Sequence, residues 1–385
     1  MTNPHVAATT ASPISTAYGW LESSPLPDGI GLIDVAQAVP GYPPPDDLIA
    51  HLRAIDQVPL SKYGPVLGQP DLREATAVDI SNAYGAAIPV SNVAITAGAN
   101  QAFCLATLAI CDRGDEVIVP VPYYFNHDMW LRINGIRSVP LPCDERMQPA
   151  ASDAAALIGK RTKAISLVTP NNPTGRVYPP DLIAAFADVA ASNGIHLILD
   201  ETYRDFRTTA EAAHTQFQDP GWGSTIVHLT SFSKVFSITG HRVGALVASS
   251  DLLVEVDKIA DCITICPNRT GQAAALYGLS SLGPWVEENR RMMNRRVNQF
   301  CALMTESDSP YEVVSAGAYF AYVRHPFDGL TGTEVAKRLV TKHAVLALAG
   351  EMFGDDQHPF LRLAFANLDE AAIPELVGRL NASAA

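Results

Sequence analysis

Short runs of apolar, often β-branched residues alternate along this chain with stretches rich in Ala and Leu, and no other feature limits the fold as strongly. The runs Val93–Thr96, Glu116–Val121, Ile136–Leu141, Ala164–Thr169, His196–Leu199, Thr225–Thr230 and Val243–Ala248 have the length and residue types of strands, and helix-compatible segments lie between several of them. Strands that alternate with helices predict an α/β fold with a mostly parallel central sheet and flanking helices. After about residue 280 the texture changes. A long charged helix begins near Pro284, followed by a strand-like Ala318–Val323, a helix near Thr333–His343 and a strand ending in Phe360–Phe365, which reads as a smaller α+β domain. The expected organisation is an N-terminal arm with part of the small domain over 1–45, a large domain over 46–280 and a small C-terminal domain over 281–385. Pro40–Pro45 is the expected joint, and the first residues, MTNPHVAATTASPIS, read as a loose arm without the pattern of a secretory signal.

A length of 385 residues suits two to three domains at about 100–200 residues each. With 48% hydrophobic and 17% charged residues the chain can bury a large core. Its 27 Lys and Arg against 40 Asp and Glu leave a net charge of -13, the wrong sign for a nucleic-acid partner. Arg290, Arg291, Arg295 and Arg296 form one basic cluster, expected to be a solvated helix face. Six cysteines without a C-x-x-C indicate neither a disulfide scaffold nor a zinc site and suit a reducing cytoplasm. The uncharged stretch 91–111 has the length of a membrane span. Its amides Asn92, Asn100 and Gln101 favour a strand, a turn and a buried helix instead, so no membrane is expected.

Ligands of open α/β sheets bind beyond the carboxyl ends of the strands. Gly98-Ala99-Asn100 follows the first predicted strand, Pro122-Tyr123-Tyr124 the second and Asn171-Asn172-Pro173-Thr174-Gly175 a later one. Asp200-Glu201-Thr202-Tyr203 follows the next, and Ser231-Phe232-Ser233-Lys234 the one after. Asp200 ends an apolar strand, where a carboxylate calls for a cation or a strong donor. Alone it reads as a helix cap or a structural ion pair, and Lys234 alone reads as a surface lysine. The hydroxyls of Ser231 and Ser233, the fork of Arg242 and the amides after Gly98 suit a phosphate. A phosphate site, an aldehyde-reactive lysine and a buried carboxylate together specify pyridoxal 5'-phosphate.

The segments YGPVLGQPDLR (63–73), TAGANQAF (96–103), NNPTG (171–175), DETY (200–203), SFSKVFSITGHRVG (231–244) and FLRLAFAN (360–367) closely resemble, in order, the signature of the class I/II aminotransferases. These are fold-type-I pyridoxal-phosphate enzymes, and the resemblance runs from about Ala36 to Asn367. It implies an aspartate-aminotransferase-like fold whose large domain binds the cofactor. It also implies Lys234 as the Schiff-base lysine, Asp200 on the pyridinium nitrogen, Asn172 and Tyr203 on the ring's phenolic oxygen, and Tyr124 stacked on the ring. Gly98, Ala99, Asn100, Ser231, Ser233 and Arg242 match phosphate-binding positions. Tyr63 is expected to reach the phosphate of the neighbouring subunit, making a homodimer with shared sites. Arg362, with Asn172, would hold the substrate, the arginine gripping its α-carboxylate. Tyr123 is the rival of Tyr124, and a domain-interface salt bridge is the rival role for Arg362.

The implied enzyme is a cytoplasmic aminotransferase that moves an amino group from an amino acid to a 2-oxo acid by a ping-pong mechanism, without a metal ion. A lyase catalysing β- or γ-elimination, or a racemase, shares the cofactor and its motifs. A non-catalytic sensor would need a basic DNA-binding domain, for which this acidic chain leaves no room. Two segments depart from the family pattern, Ala38-Val39-Pro40 and Ala349-Gly350-Glu351-Met352-Phe353-Gly354, so the amino donor and acceptor stay open. The roles of Arg269 and His241 stay open as well.

Overall fold

The structure is a computed structural model that describes residues 2–23, 25–209 and 211–385. Its strands in chain order are β1 (Ile33–Asp34), β2 (Val93–Thr96), β3 (Glu116–Val121), β4 (Arg137–Pro142), β5 (Thr162–Val168), β6 (His196–Asp200), β7 (Ile226–Ser231), β8 (Gly244–Val247), β9 (Glu312–Gly317), β10 (Phe320–Arg324), β11 (Val345–Leu346), β12 (Leu348–Ala349) and β13 (Phe360–Ala364).

Seven of these make one sheet in the order β2-β8-β7-β6-β5-β3-β4, with β8 antiparallel to both neighbours and the remaining pairs parallel. This is the expected α/β class. Helices cover both faces of such a sheet, so its inner strands are continuous apolar runs rather than alternating ones. Leu197, Ile198 and Leu199 of β6 are fully buried, each contributing roughly 1.5–3 kcal/mol relative to exposure. Because β2, β3, β5, β6 and β7 run the same way, the segments after them meet at one edge.

A second, antiparallel sheet has the order β12-β13-β10-β9. Beside it β1 pairs in parallel with β11, which ties residues near 33 to the C-terminal part of the chain. The turn 171–175 joins the two sheets closely. Gly175 has φ +71°, and a Cβ there would collide with the backbone of Gly317 at the end of β9.

Two expectations change. The N-terminal stretch is helical over Pro4–Ala8 and Pro13–Ser23, and Ala17 and Trp20 of the second helix pack into the core under the small sheet. The four arginines of helix Gly283–Glu306 are not one solvated face. Arg296 is 4% exposed and donates to Ala366 O at 2.6 Å, while Arg290 and Arg291 share Glu287. Stretch 91–111 is the expected strand, turn and helix Ala99–Ile110, and among the described residues no helix is long and apolar enough to cross a membrane.

Candidate active site

Where the strand ends meet, a cavity of about 230 Å³ opens between the two sheets. Its wall includes Ala99, Asn100, Tyr124, Asn172, Asp200, Tyr203, Ser231, Ser233, Lys234, Arg242 and Arg362, so eleven of the sequence-predicted site residues converge. Gly98 stands directly behind Ala99 with φ +85° and opens helix Ala99–Ile110; a Cβ there would lie 2.5 Å from Arg242 Nη2. Tyr63 is absent from this wall and is 78% exposed.

Lys234 lies in the single helical turn Phe232–Val235 that follows β7, with the Ser231 hydroxyl accepting from Ser233 N at 3.2 Å. The ammonium donates to Ala38 O at 2.6 Å. Burial, reinforced by the guanidinium charges of Arg242 and Arg362, lowers Lys234 to about 8. Its neutral form at neutral pH is therefore a minority but far more populated than in an ordinary lysine, which favours a nucleophilic amine.

Asp200 is the last residue of β6 and is 4% exposed. Burial alone would push its carboxyl up, but His127 and two donors from Thr202 outweigh burial and hold it below its ordinary value. Thr202 N and Oγ1 donate to Oδ1 at 3.0 and 2.7 Å. His127 Nε2 lies 3.3 Å from Oδ2, within ion-pair range though without the alignment of a hydrogen bond, and its ring stacks on Phe103 at 3.7 Å.

The Tyr124 hydroxyl donates to Asn126 Oδ1 at 2.8 Å and Asn100 Oδ1 at 3.2 Å, and burial pushes it up to about 12. Tyr123, its rival, lies off this cavity. Arg242 Nη1 donates to Thr239 O at 3.0 Å and points at Ser233 Oγ at 3.5 Å, and its Nη2 donates to Ala97 O at 3.2 Å. Arg362, in the middle of β13, is 1% exposed. Its Nη2 donates to Ala36 O, its Nε has no partner, and its guanidinium lies over Phe320 and Phe353. No acid pairs with it among the described residues, which leaves its charge unpaired and its Nε without a partner beside the cavity. Asn172 Oδ1 is likewise buried without a partner, whereas Asn171 Oδ1 accepts from Thr174 inside the turn.

His127 and Thr202 are the residues that sequence reasoning missed. His127 stands three residues after Tyr124 on helix Phe125–Ile133, the spacing that places two side chains on one helix face, and that spacing is the signal that marks it. Behind Asp200, Glu201 is fully buried and accepts from Tyr84, from His228 Nε2 at 2.9 Å and from His214 Nε2 at 3.3 Å.

The chain is similar over residues 31–380 to the family described as aminotransferase class I and II. It is 30% identical to an aspartate aminotransferase of Pyrococcus horikoshii over 83% of this chain and 82% of that protein. It is also 30% identical to an arginine–pyruvate transaminase of Pseudomonas aeruginosa over 78% of this chain and 77% of that protein. Aspartate aminotransferase of Thermus thermophilus with maleate superposes with a TM-score of 0.91 at 25% identity, over 100% of this chain and 99% of the other.

Proposed function

The chain belongs to the class I and II aminotransferases, and from that premise we propose that its cavity holds pyridoxal 5'-phosphate on Lys234 and works on an amino acid and a 2-oxo acid in turn. That it is an aminotransferase follows from the family; the cofactor's seat and each residue's role are our reading. The observation that carries it is the presence, in one cavity, of Lys234 lowered to about 8 and Asp200 held below its ordinary value.

The residues present fit the group. A phosphate would meet the serine hydroxyls, the Arg242 fork and the amides opening helix Ala99–Ile110, a helix of 12 residues. The unpartnered Asn172 Oδ1 marks a polar group awaiting a neighbour. Ionised Asp200 suits a protonated ring nitrogen, and Tyr124 offers a face for stacking. When bound, pyridoxal phosphate supplies an aldehyde that condenses with amines and a ring that draws electrons from the substrate's Cα.

Arg362 binds the α-carboxylate and so fixes the orientation of the Cα–H bond. With the cofactor bound, the neutral amine of Lys234 would be the base that takes the proton from the substrate's Cα. The amide N–H of Asn172 and the hydroxyl of Tyr203 would donate to the cofactor's phenolic oxygen. Ile14 and Val39 add apolar side chains to the cavity wall.

Two copies make the working unit in this reading. Val58, Tyr63, Ile263 and Ile265 are large exposed hydrophobics on two neighbouring segments, the kind of patch that a second copy covers. Tyr63 then reaches the partner's phosphate. Six free cysteines fit a reducing cytoplasm. Borohydride reduction of the holoenzyme followed by peptide mass spectrometry tests the cofactor's seat. A pyridoxyl group on Lys234 is expected, and a label on another lysine counts against it.

A further inference from the structure

Tyr63 stands on an exposed loop, yet that loop is not loose. Arg269 Nη1 donates to Pro59 O and, at 3.4 Å, to Lys62 O. Cys266 Sγ accepts from Gly64 N at 3.3 Å, and Gln272 Oε1 accepts from Gln69 N at 2.7 Å. Gln272 is 1% exposed and its Nε2 donates to Pro267 O at 2.9 Å, so these fastenings are anchored in the core. Three residues within 266–272 thus tie down the chain on both sides of Tyr63.

Arg269 is placed where helix electrostatics disfavour it. It is the first residue of helix Arg269–Ser281, after the cap Asn268, whose Oδ1 accepts from Gly271 N at 2.7 Å. A cation at a helix N-terminus faces the positive end of the helix dipole. Among the described residues no carboxylate lies within ion-pair distance of Arg269, and its Nε is buried without a partner. Its partners are the two loop carbonyls that precede Tyr63, and its stem runs beside Gly64, where a Cβ would stand 3.5 Å from Arg269 Cδ. An arginine kept in an unfavourable field, with loop carbonyls as its partners, is explained by what those carbonyls position.

We infer that Arg269 is a positioning residue that sets the reach of Tyr63 toward the cofactor phosphate of a second copy of the chain. The inference rests on the reading that Tyr63 acts across the dimer. Arg269 acts through Tyr63 and does not itself touch the phosphate.

The test is a double-mutant cycle on cofactor retention, with the dissociation constant of pyridoxal phosphate measured by equilibrium dialysis. The four proteins are the wild type, Tyr63→Phe, Arg269→Gln and the pair combined. Tyr63→Phe is expected to weaken retention about tenfold, as for one hydrogen bond to a charged group. Arg269→Gln should weaken it less, by about threefold to tenfold, and should add nothing in the Tyr63→Phe background. Arg269→Lys, whose single ammonium can still reach a loop carbonyl, should recover most of the loss. Melting temperatures separate this from a general loss of structure, which would lower retention in both backgrounds. If Arg269→Gln fails to fold, Arg269→Met, which keeps the apolar stem, takes its place in the cycle. An effect that multiplies in full with that of Tyr63→Phe, or no effect at all, overturns the inference. A Tyr63→Phe variant that retains cofactor like the wild type overturns the cross-dimer reading itself, and the inference with it.

Discussion

His127 Nε2 lies 3.3 Å from Asp200 Oδ2, and both side chains are shielded from solvent. The imidazole is held by its stack on Phe103 and lies edge-on to Tyr124, so one helical turn supplies both the aromatic face of the cavity and the support for its carboxylate. Burial works against the Asp200 charge, and His127 is the strongest of the groups that oppose burial. Replacing His127 by Phe should therefore let burial prevail and raise the Asp200 pKa. The folded protein keeps Asp200 below its ordinary value, so this charge stabilises above the ordinary carboxyl range and is lost as pH falls through the folded value. In His127→Phe the acid limb of kcat/KM should move to higher pH. An unchanged limb would separate the two residues functionally.

Asp200→Asn tests the proposed contact with the ring nitrogen. An amide keeps the shape and the Thr202 contacts but cannot hold a ring proton by charge. Cα deprotonation should slow by about a thousandfold or more, roughly 4 kcal/mol in barrier, with the fold intact. Deuterium at Cα would reveal this as a larger isotope effect in single-turnover experiments. Wild-type single-turnover rates in the variant would remove Asp200 from the chemistry.

Lys234 is lowered to about 8 by burial first, then by the charges of Arg242 and Arg362. In cofactor-free protein its reaction with a carbonyl reagent should rise as pH passes through about 8, because the neutral amine reacts. Arg362→Met removes one of the two neighbouring charges and should move that midpoint upward, but only partly, since burial persists. A midpoint at the ordinary lysine value would mean that Lys234 is solvated in solution.

Arg362 offers a planar fork with an unpartnered Nε, and Lys cannot reproduce its two-bond grip. Arg362→Lys should raise KM for amino acids by about tenfold to a hundredfold, the range for hydrogen bonds between charged groups. Cofactor affinity should barely change, as equilibrium dialysis would show. Equal turnover of a carboxylate-free amine and its parent amino acid by the wild type would contradict the role.

Sequence alone reveals those parts of the fold in which burial imprints a pattern. β2 and β3 match their predicted bounds, because strands covered on both faces are unbroken apolar runs. The two-residue strand β1 exists through its tertiary partner, and β11 and β12 share one apolar run, 344–349, that does not by itself show where the chain passes from one sheet to the other. β9, at the edge of the small sheet and mostly half-buried, is equally mute. The helix Pro13–Ser23 is short and its buried contacts come from the C-terminal part of the chain, so nothing nearby in sequence announces it. In the cavity, Asp200 at the end of β6 and Lys234 in the turn after β7 are legible because each follows an apolar strand and stands beside other polar groups of the same edge. His127 is buried on helix Phe125–Ile133, and although its spacing from Tyr124 places it on the same face, only the fold brings it to Asp200. Arg296 likewise reads as a surface charge until Ala366 O is placed beside it.

Amino transfer and elimination part ways in a half-reaction. Holoenzyme mixed with an excess of an amino acid, and with no 2-oxo acid present, should release one oxo acid per active site and then stop, because the amino group stays on the enzyme. Adding a 2-oxo acid should restart it and return the cofactor spectrum to its starting form. Continued release of oxo acid with ammonia in equal amount would instead identify an eliminating enzyme and rule out amino transfer.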